Sequence, residues 1–419
     1  MNNKSDRIIV IDAIKGFAAL MIIIVHGVVF GVFDPDPGYY SQLLDRLTFG
    51  LIILLSPIML MATWFTIFVF IAGMTITLAY LREMERGGEN YRGVLKKKII
   101  NALSFVILGS IYGPILSHTS YSEDGFVYSL ITGAITTGKF VSVNFSRFFE
   151  HTIFSGIALC MVVFLGVIHP IFVRKEKIEK MFLIKIMIFC ELFFVVFSFL
   201  LENIVDDSLQ GGVMSSVFGG RHSMLPQLFF AFSGGIYVII IFFSNDFTIR
   251  KNELMRFGFI KNVFYFIIFI VISLFENFNY VNMIGQPELS VLFQFGNLAM
   301  MNFIIFLFFY FLELSERSVS EKRAKFLLYF APLTMTLYCL ESLFAAILKR
   351  IFLVIFGEMA FPWNGGVNIF YMGIILSFWY IVSRLWKKYN YVGSFEWILV
   401  NMMKVGGTSS NRLQLEMEG

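Results

Sequence analysis

Residues 8–26 read Ile8-Ile9-Val10-Ile11-Asp12-Ala13-Ile14-Lys15-Gly16-Phe17-Ala18-Ala19-Leu20-Met21-Ile22-Ile23-Ile24-Val25-His26, an apolar run broken early by Asp12 and Lys15 and closed by a histidine. Such a run suits lipid, because a helix needs about 20 mostly apolar residues to cross the hydrocarbon core. A charge inside it costs about 2.5–3.5 kcal/mol on insertion scales and is therefore a functional candidate. Asp12 and Lys15 lie three positions apart on one helical face, where they can pair. His26 follows Lys15 by 11 residues, about 16 Å further along the helix axis. Its ordinary pKa near 6.5 suits proton transfer at neutral pH.

The rest of the chain extends this pattern. Of 419 residues, 58% are hydrophobic and only 15% charged, 52 are phenylalanine, and the mean hydropathy is +0.77. Soluble domains hold about 45–50% apolar residues, so composition alone indicates an integral membrane protein. The net charge of +4 is small, and no basic patch points to nucleic acid. Cys160, Cys190 and Cys339 each sit inside an apolar run, with neither CxxC nor metal-ligand spacing, which indicates no disulfide framework and no metal. Lys4 and Arg7 precede the first run, but its internal charges and the lack of a small-residue cleavage site make it a retained helix rather than a signal peptide.

Apolar segments recur at about 8–32, 48–81, 99–117, 151–173, 181–201, 224–243, 257–277, 290–313, 326–348 and 366–385. Cytoplasmic loops carry the Lys/Arg excess. Stretches 82–98, 174–180, 250–256, 317–325 and 384–388 are basic, whereas the loops between them hold Asp34, Asp36, Asp45, Glu123, Asp124, Asp206, Asp207 and Glu288. The alternation predicts an all-α fold, a polytopic membrane helix bundle of about ten transmembrane helices with both termini cytoplasmic. Segment 48–81 is too long for one simple span, and Ser56-Pro57 is its expected break. The outer loop 118–149 is expected to form a small cap. No repeat or separate soluble domain is evident.

Asp12-Ala13-Ile14-Lys15-Gly16-Phe17-Ala18 followed by His26 resembles the opening signature of transmembrane acyltransferases, Asp-x-x-Arg-Gly-x-Ala ending in His or Asn, with Lys15 in the arginine position. These include acyltransferase family three, heparan-α-glucosaminide N-acetyltransferase and the YeiB-like membrane proteins. Phe68-Val69-Phe70-Ile71-Ala72-Gly73-Met74 is similar to a family stretch ending in Ser-Gly or Phe-Gly. Thr334-Met335-Thr336-Leu337-Tyr338-Cys339-Leu340-Glu341-Ser342 resembles a late family helix, with Glu341 where Gln or His is usual. Tyr391-Val392-Gly393-Ser394-Phe395-Glu396-Trp397 is similar to the YeiB-like ending Gly-Pro-Leu-Glu-Trp, with Ser394 in place of proline. Between residues 120 and 320 only hydropathy matches.

The resemblance implies one acyltransferase-like domain over 1–390, a cytoplasmic tail over 391–419, and acyl transfer from acyl-CoA, chiefly acetyl-CoA. His26, Asp12 and Glu341 would be catalytic. Lys15, Gly16 and Gly73 would hold the donor. Apart from the resemblance, the loop topology puts Arg221-His222 on the same outer side as His26, where a cation could grip an anionic acceptor. The expected partners are membrane lipid and a glycan or lipid-linked acceptor, with no nucleic acid and no metal; self-association into a homo-oligomer is left open. Glu191, Glu276, Glu313, His118, His151 and His169 read as structural. A transporter is the alternative, with Asp12, His26, Glu191 and Glu341 along a path; against it, no inverted repeat is visible.

Overall fold

The computed structural model describes residues 9–27, 66–118, 120–122, 125–144, 148, 153–174, 178–202, 224–244, 246–275, 291–313, 317–357 and 365–405. In chain order these form α1 (Ile9–His26), α2 (Thr66–Glu85), α3 (Tyr91–Leu116), a hairpin of β1 (Ser120–Ser122) and β2 (Gly125–Val127), α4 (Leu130–Thr137), α5 (Ile153–Arg174), α6 (Lys180–Glu202) and α7 (Met224–Phe243). There follow α8 (Phe247–Phe275), α9 (Val291–Phe308), a π turn at Phe309–Glu313, α10 (Arg317–Leu328), a 3₁₀ turn at Ala331–Leu333, α11 (Thr334–Phe356), α12 (Gly365–Lys388) and α13 (Phe395–Val405). The regular structure among the described residues is thus helical apart from one small hairpin, as expected where lipid leaves backbone groups no water to bond. Among the described residues, Ile9–His26, Thr66–Glu85, Tyr91–Leu116, Phe154–Arg174 and Gly366–Lys388 are long and apolar enough to cross a membrane. α7 and α9 contribute the shorter apolar stretches Gln227–Phe243 and Ala299–Leu312.

Close helix approach is written in glycine. A Cβ on Gly73 of α2 would stand 2.0 Å from the Ala231 carbonyl oxygen of α7, and one on Gly234 of α7 would stand 2.3 Å from that of Phe70. The two backbones therefore touch from both sides, the small-residue packing that lets membrane helices associate without a hydrophobic driving force between them. Gly16 does the same for α1, its missing Cβ leaving room for the Leu327 carbonyl of α10. Val69, Phe70 and Met74 of α2, with Phe230, Phe232 and Tyr237 of α7, form the center of the buried core.

One feature differs from the sequence expectation, and two others give it detail. The stretch 326–348 is not one continuous span: the helix stops at Leu328 and restarts at Thr334 after a 3₁₀ turn containing Pro332, because proline lacks the donor that a continuous helix needs there. The loop after α3 folds into the hairpin and α4, with Ser129 and Thr132 bonding the last carbonyls of α3. Residues 391–405, the first part of the expected C-terminal tail, fold against α11. Asn390, Tyr391 and Gly393 adopt left-handed backbone angles, φ 49°, 55° and 82°, which turn the chain back after α12. Ser394 Oγ then accepts from Trp397 N–H at 3.1 Å and caps α13. The Ser56-Pro57 break and the tail beyond 405 lie outside the described residues.

Candidate functional site

His26 ends α1, and its Nδ1 lies 2.6 Å from Glu341 Oε1 of α11. His118 Nε2, from the segment just after α3, lies 2.7 Å from the same oxygen. The two imidazoles meet edge to face with centroids 5.0 Å apart. Glu341 is buried, and the histidine side chains are only 19% and 10% exposed. One carboxylate thus orients two imidazoles from opposite parts of the chain.

Local structure holds each member. α3 contains Pro114 and ends at Leu116. Its terminal carbonyls are taken by other elements: Ser342 Oγ of α11 and Thr132 Oγ1 of α4 both donate to the Leu116 carbonyl, at 2.7 and 2.8 Å, and Ser129 Oγ donates to that of Ser117 at 2.7 Å. These bonds fix the backbone that carries His118, as helix-end carbonyls need partners when buried. Tyr338, one turn before Glu341, stands edge-on to His26 at 5.9 Å and to Phe154 of α5 at 4.9 Å; Tyr112 and Phe68 complete an aromatic collar. Burial favors the neutral form of His118 and holds it below the usual histidine range, although Glu341 pulls the other way.

Below the site, α13 anchors α11. Glu396 Oε1 accepts from the backbone N–H groups of Met335 and Thr336 at 2.5 and 3.3 Å, and Oε2 accepts from Thr336 Oγ1. Phe395 N–H donates to Thr336 Oγ1 at 2.9 Å. A carboxylate at the positive end of a helix satisfies orphan donors and complements the dipole. Burial pushes the Glu396 carboxyl above the usual range despite these bonds.

Of the residues singled out in the sequence, His26 and Glu341 come together. Asp12 and Lys15 form their own ion pair at 3.5 Å near the start of α1, about 16–21 Å from His26 along the helix. Gly16 and Gly73 are packed against the backbones of α10 and α7. Arg221 and His222 lie outside the described residues. Sequence reading took His118 for a structural residue, although Gly113-Pro114 in the last turn of α3, about one turn before it, is a local signal. It passed over Lys261 of α8, whose Nζ lies 2.8 Å from Glu191 Oε1 of α6, with Ser233 of α7 and Tyr265 joined to the same network and Asn302 of α9 bonded to Ser233. No protein-family model, no curated protein and no solved structure matches this chain.

Proposed function

We propose that this chain is a membrane acyltransferase of ten spans with both termini in the cytoplasm, moving an acyl group, acetyl in the first instance, from acyl-CoA to a hydroxyl or amine of a glycan or lipid-linked acceptor. The observation that carries it is the bond between His26 Nδ1 and Glu341 Oε1. A carboxylate on one imidazole nitrogen sets the tautomer and stabilizes the imidazolium formed when the other nitrogen takes a proton. In the proposed step the acceptor O–H or N–H gives its proton to His26 Nε2 while its heteroatom attacks the thioester carbonyl. The C–S bond then breaks, and the CoA thiolate leaves and recovers that proton. His118 donates to the same carboxylate oxygen and positions it. Lys15, paired with Asp12, meets the charged part of the donor at the cytoplasmic end of α1, and the pantetheine arm covers the interval to His26. Arg221-His222 grip the acceptor.

Purified protein with labeled acetyl-CoA and a panel of sugar and lipid-linked acceptors tests this. Label transfer, or a labeled enzyme, is expected in the wild type and lost in His26→Ala. Absence of thioester turnover with every acceptor sinks the proposal.

One observation favors transport as the second reading: a Lys261–Glu191 pair is buried inside the bundle, where ionizable groups often mark an ion or proton path. Substrate-driven proton uptake by protein reconstituted in vesicles, abolished in the paired variant Lys261→Met with Glu191→Leu, distinguishes it from acyl transfer.

A further inference from the structure

His26 Nδ1, His118 Nε2 and Glu341 Oε1 all lie within 4.8 Å of one another. Two imidazole nitrogens and one carboxylate oxygen are one of the ligand sets of three-ligand catalytic zinc centers, which keep a fourth position for water or substrate. We propose that these three side chains bind one divalent transition-metal ion of the zinc class. No spacing in the sequence announces such a site, because α1, the end of α3 and α11 each supply a single ligand.

Three features of the surroundings support a cation here. With neutral imidazoles the trio carries a net negative charge in a buried pocket collared by Tyr338, Tyr112 and Phe154, and a dication offsets that charge where water does not. The ligands come from preorganized backbone: the carbonyls next to His118 are tied by Ser129, Thr132 and Ser342, and such outer support raises metal affinity. The geometry needs little adjustment. Tetrahedral coordination at about 2.0–2.2 Å places ligand atoms roughly 3.3 Å apart, so the present contacts of 2.6 and 2.7 Å open by about 0.6–0.7 Å. In the metal-loaded state His26 Nδ1 is a ligand instead of a donor to Glu341 and its proton sits on Nε2, so the acyl transfer proposed above belongs to the metal-free state. Protons and metal then compete for the same nitrogens, and binding weakens on acidification.

The test uses full-length protein in detergent with any affinity tag removed, stripped with a chelator and then exposed to Zn²⁺ or Co²⁺ alone. Elemental analysis is expected to find one Zn²⁺ per chain, with affinity lowered more than about a hundredfold in His118→Ala and in Glu341→Gln, beyond the usual cost of losing an outer-shell partner. Co²⁺ should give the intense visible absorption of a four-coordinate site. His118→Cys keeps a ligand atom, so it should retain Co²⁺ and add a sulfur charge-transfer band, which guards against misfolding of the alanine variant. The proposal is overturned if the wild type holds no more Zn²⁺ than Glu341→Gln, or if the Co²⁺ spectrum is the same in wild type and His118→Cys. Ligand geometry carries the metal site by itself: a protein that transfers acetyl but binds no metal refutes only the metal, and one that binds metal but transfers nothing refutes only the acyl transfer.

Discussion

His26 and His118 share one acceptor, Oε1 of Glu341, at 2.6 and 2.7 Å. Loss of either ring leaves the other with its partner, whereas loss of the carboxylate releases both. Acetyl transfer is therefore expected to fall by about 10²–10⁴ in His26→Ala, the range for a general base. It should fall comparably in Glu341→Gln, and less in His118→Ala. Initial rates of label transfer at saturating acetyl-CoA check the order; a His118→Ala rate below that of His26→Ala contradicts it.

The crossing of α2 and α7 allows no side chain at Gly73, whose added Cβ would stand 2.0 Å from a backbone carbonyl. Gly73→Val is expected to cost about 1–3 kcal/mol, the usual range for overpacking. Thermal unfolding in detergent should show a lower midpoint for Gly73→Val. Gly166→Val, at a position with nothing within 4 Å, serves as the control.

Lys261 and Glu191 are each buried within one network. Breaking a buried pair strands a charge and costs about 3–5 kcal/mol, while replacing both members with apolar residues is often neutral. Lys261→Met should destabilize strongly, and Lys261→Met with Glu191→Leu should recover most of the loss. Recovery absent from the melting curve of the double variant would mean that the network has a role beyond charge balance.

Glu396 ties α13 to α11, and burial raises its carboxyl above the ordinary value. A group whose folded pKa is raised contributes stability that is full below the unfolded pKa and lost as pH rises through the folded one. Docking of α13 should loosen over that interval above the ordinary glutamate range, and Glu396→Gln should remove the dependence. Hydrogen exchange at the backbone amides of Met335 and Thr336, followed against pH, reads both effects.

Hydropathy made the long apolar helices legible, because lipid constrains length and composition directly. His26 and Glu341 were legible as charges in apolar runs. His118 was not: its role depends on where the end of α3 lands, and that is a tertiary outcome. The break at Pro332 was hidden within an apolar stretch whose hydropathy hardly changes across it. Lys261 was obscured for a related reason, since α8 starts at Phe247 and runs directly from the basic stretch 250–256 into the apolar one. Gly16 and Gly73 were visible as conspicuous residues, but the sequence does not distinguish a glycine that admits a ligand from one that admits another helix.

The carboxylate that caps α11 belongs to Glu396, 55 residues after Glu341 in the chain. During synthesis the helix bearing Glu341 is made before its cap exists, and the amide donors of Met335 and Thr336 lack that partner until Glu396 follows. Assembly of the site is thus a late event in the life of the nascent chain, because the helix that carries Glu341 gains this anchor only after the chain has been made as far as Glu396.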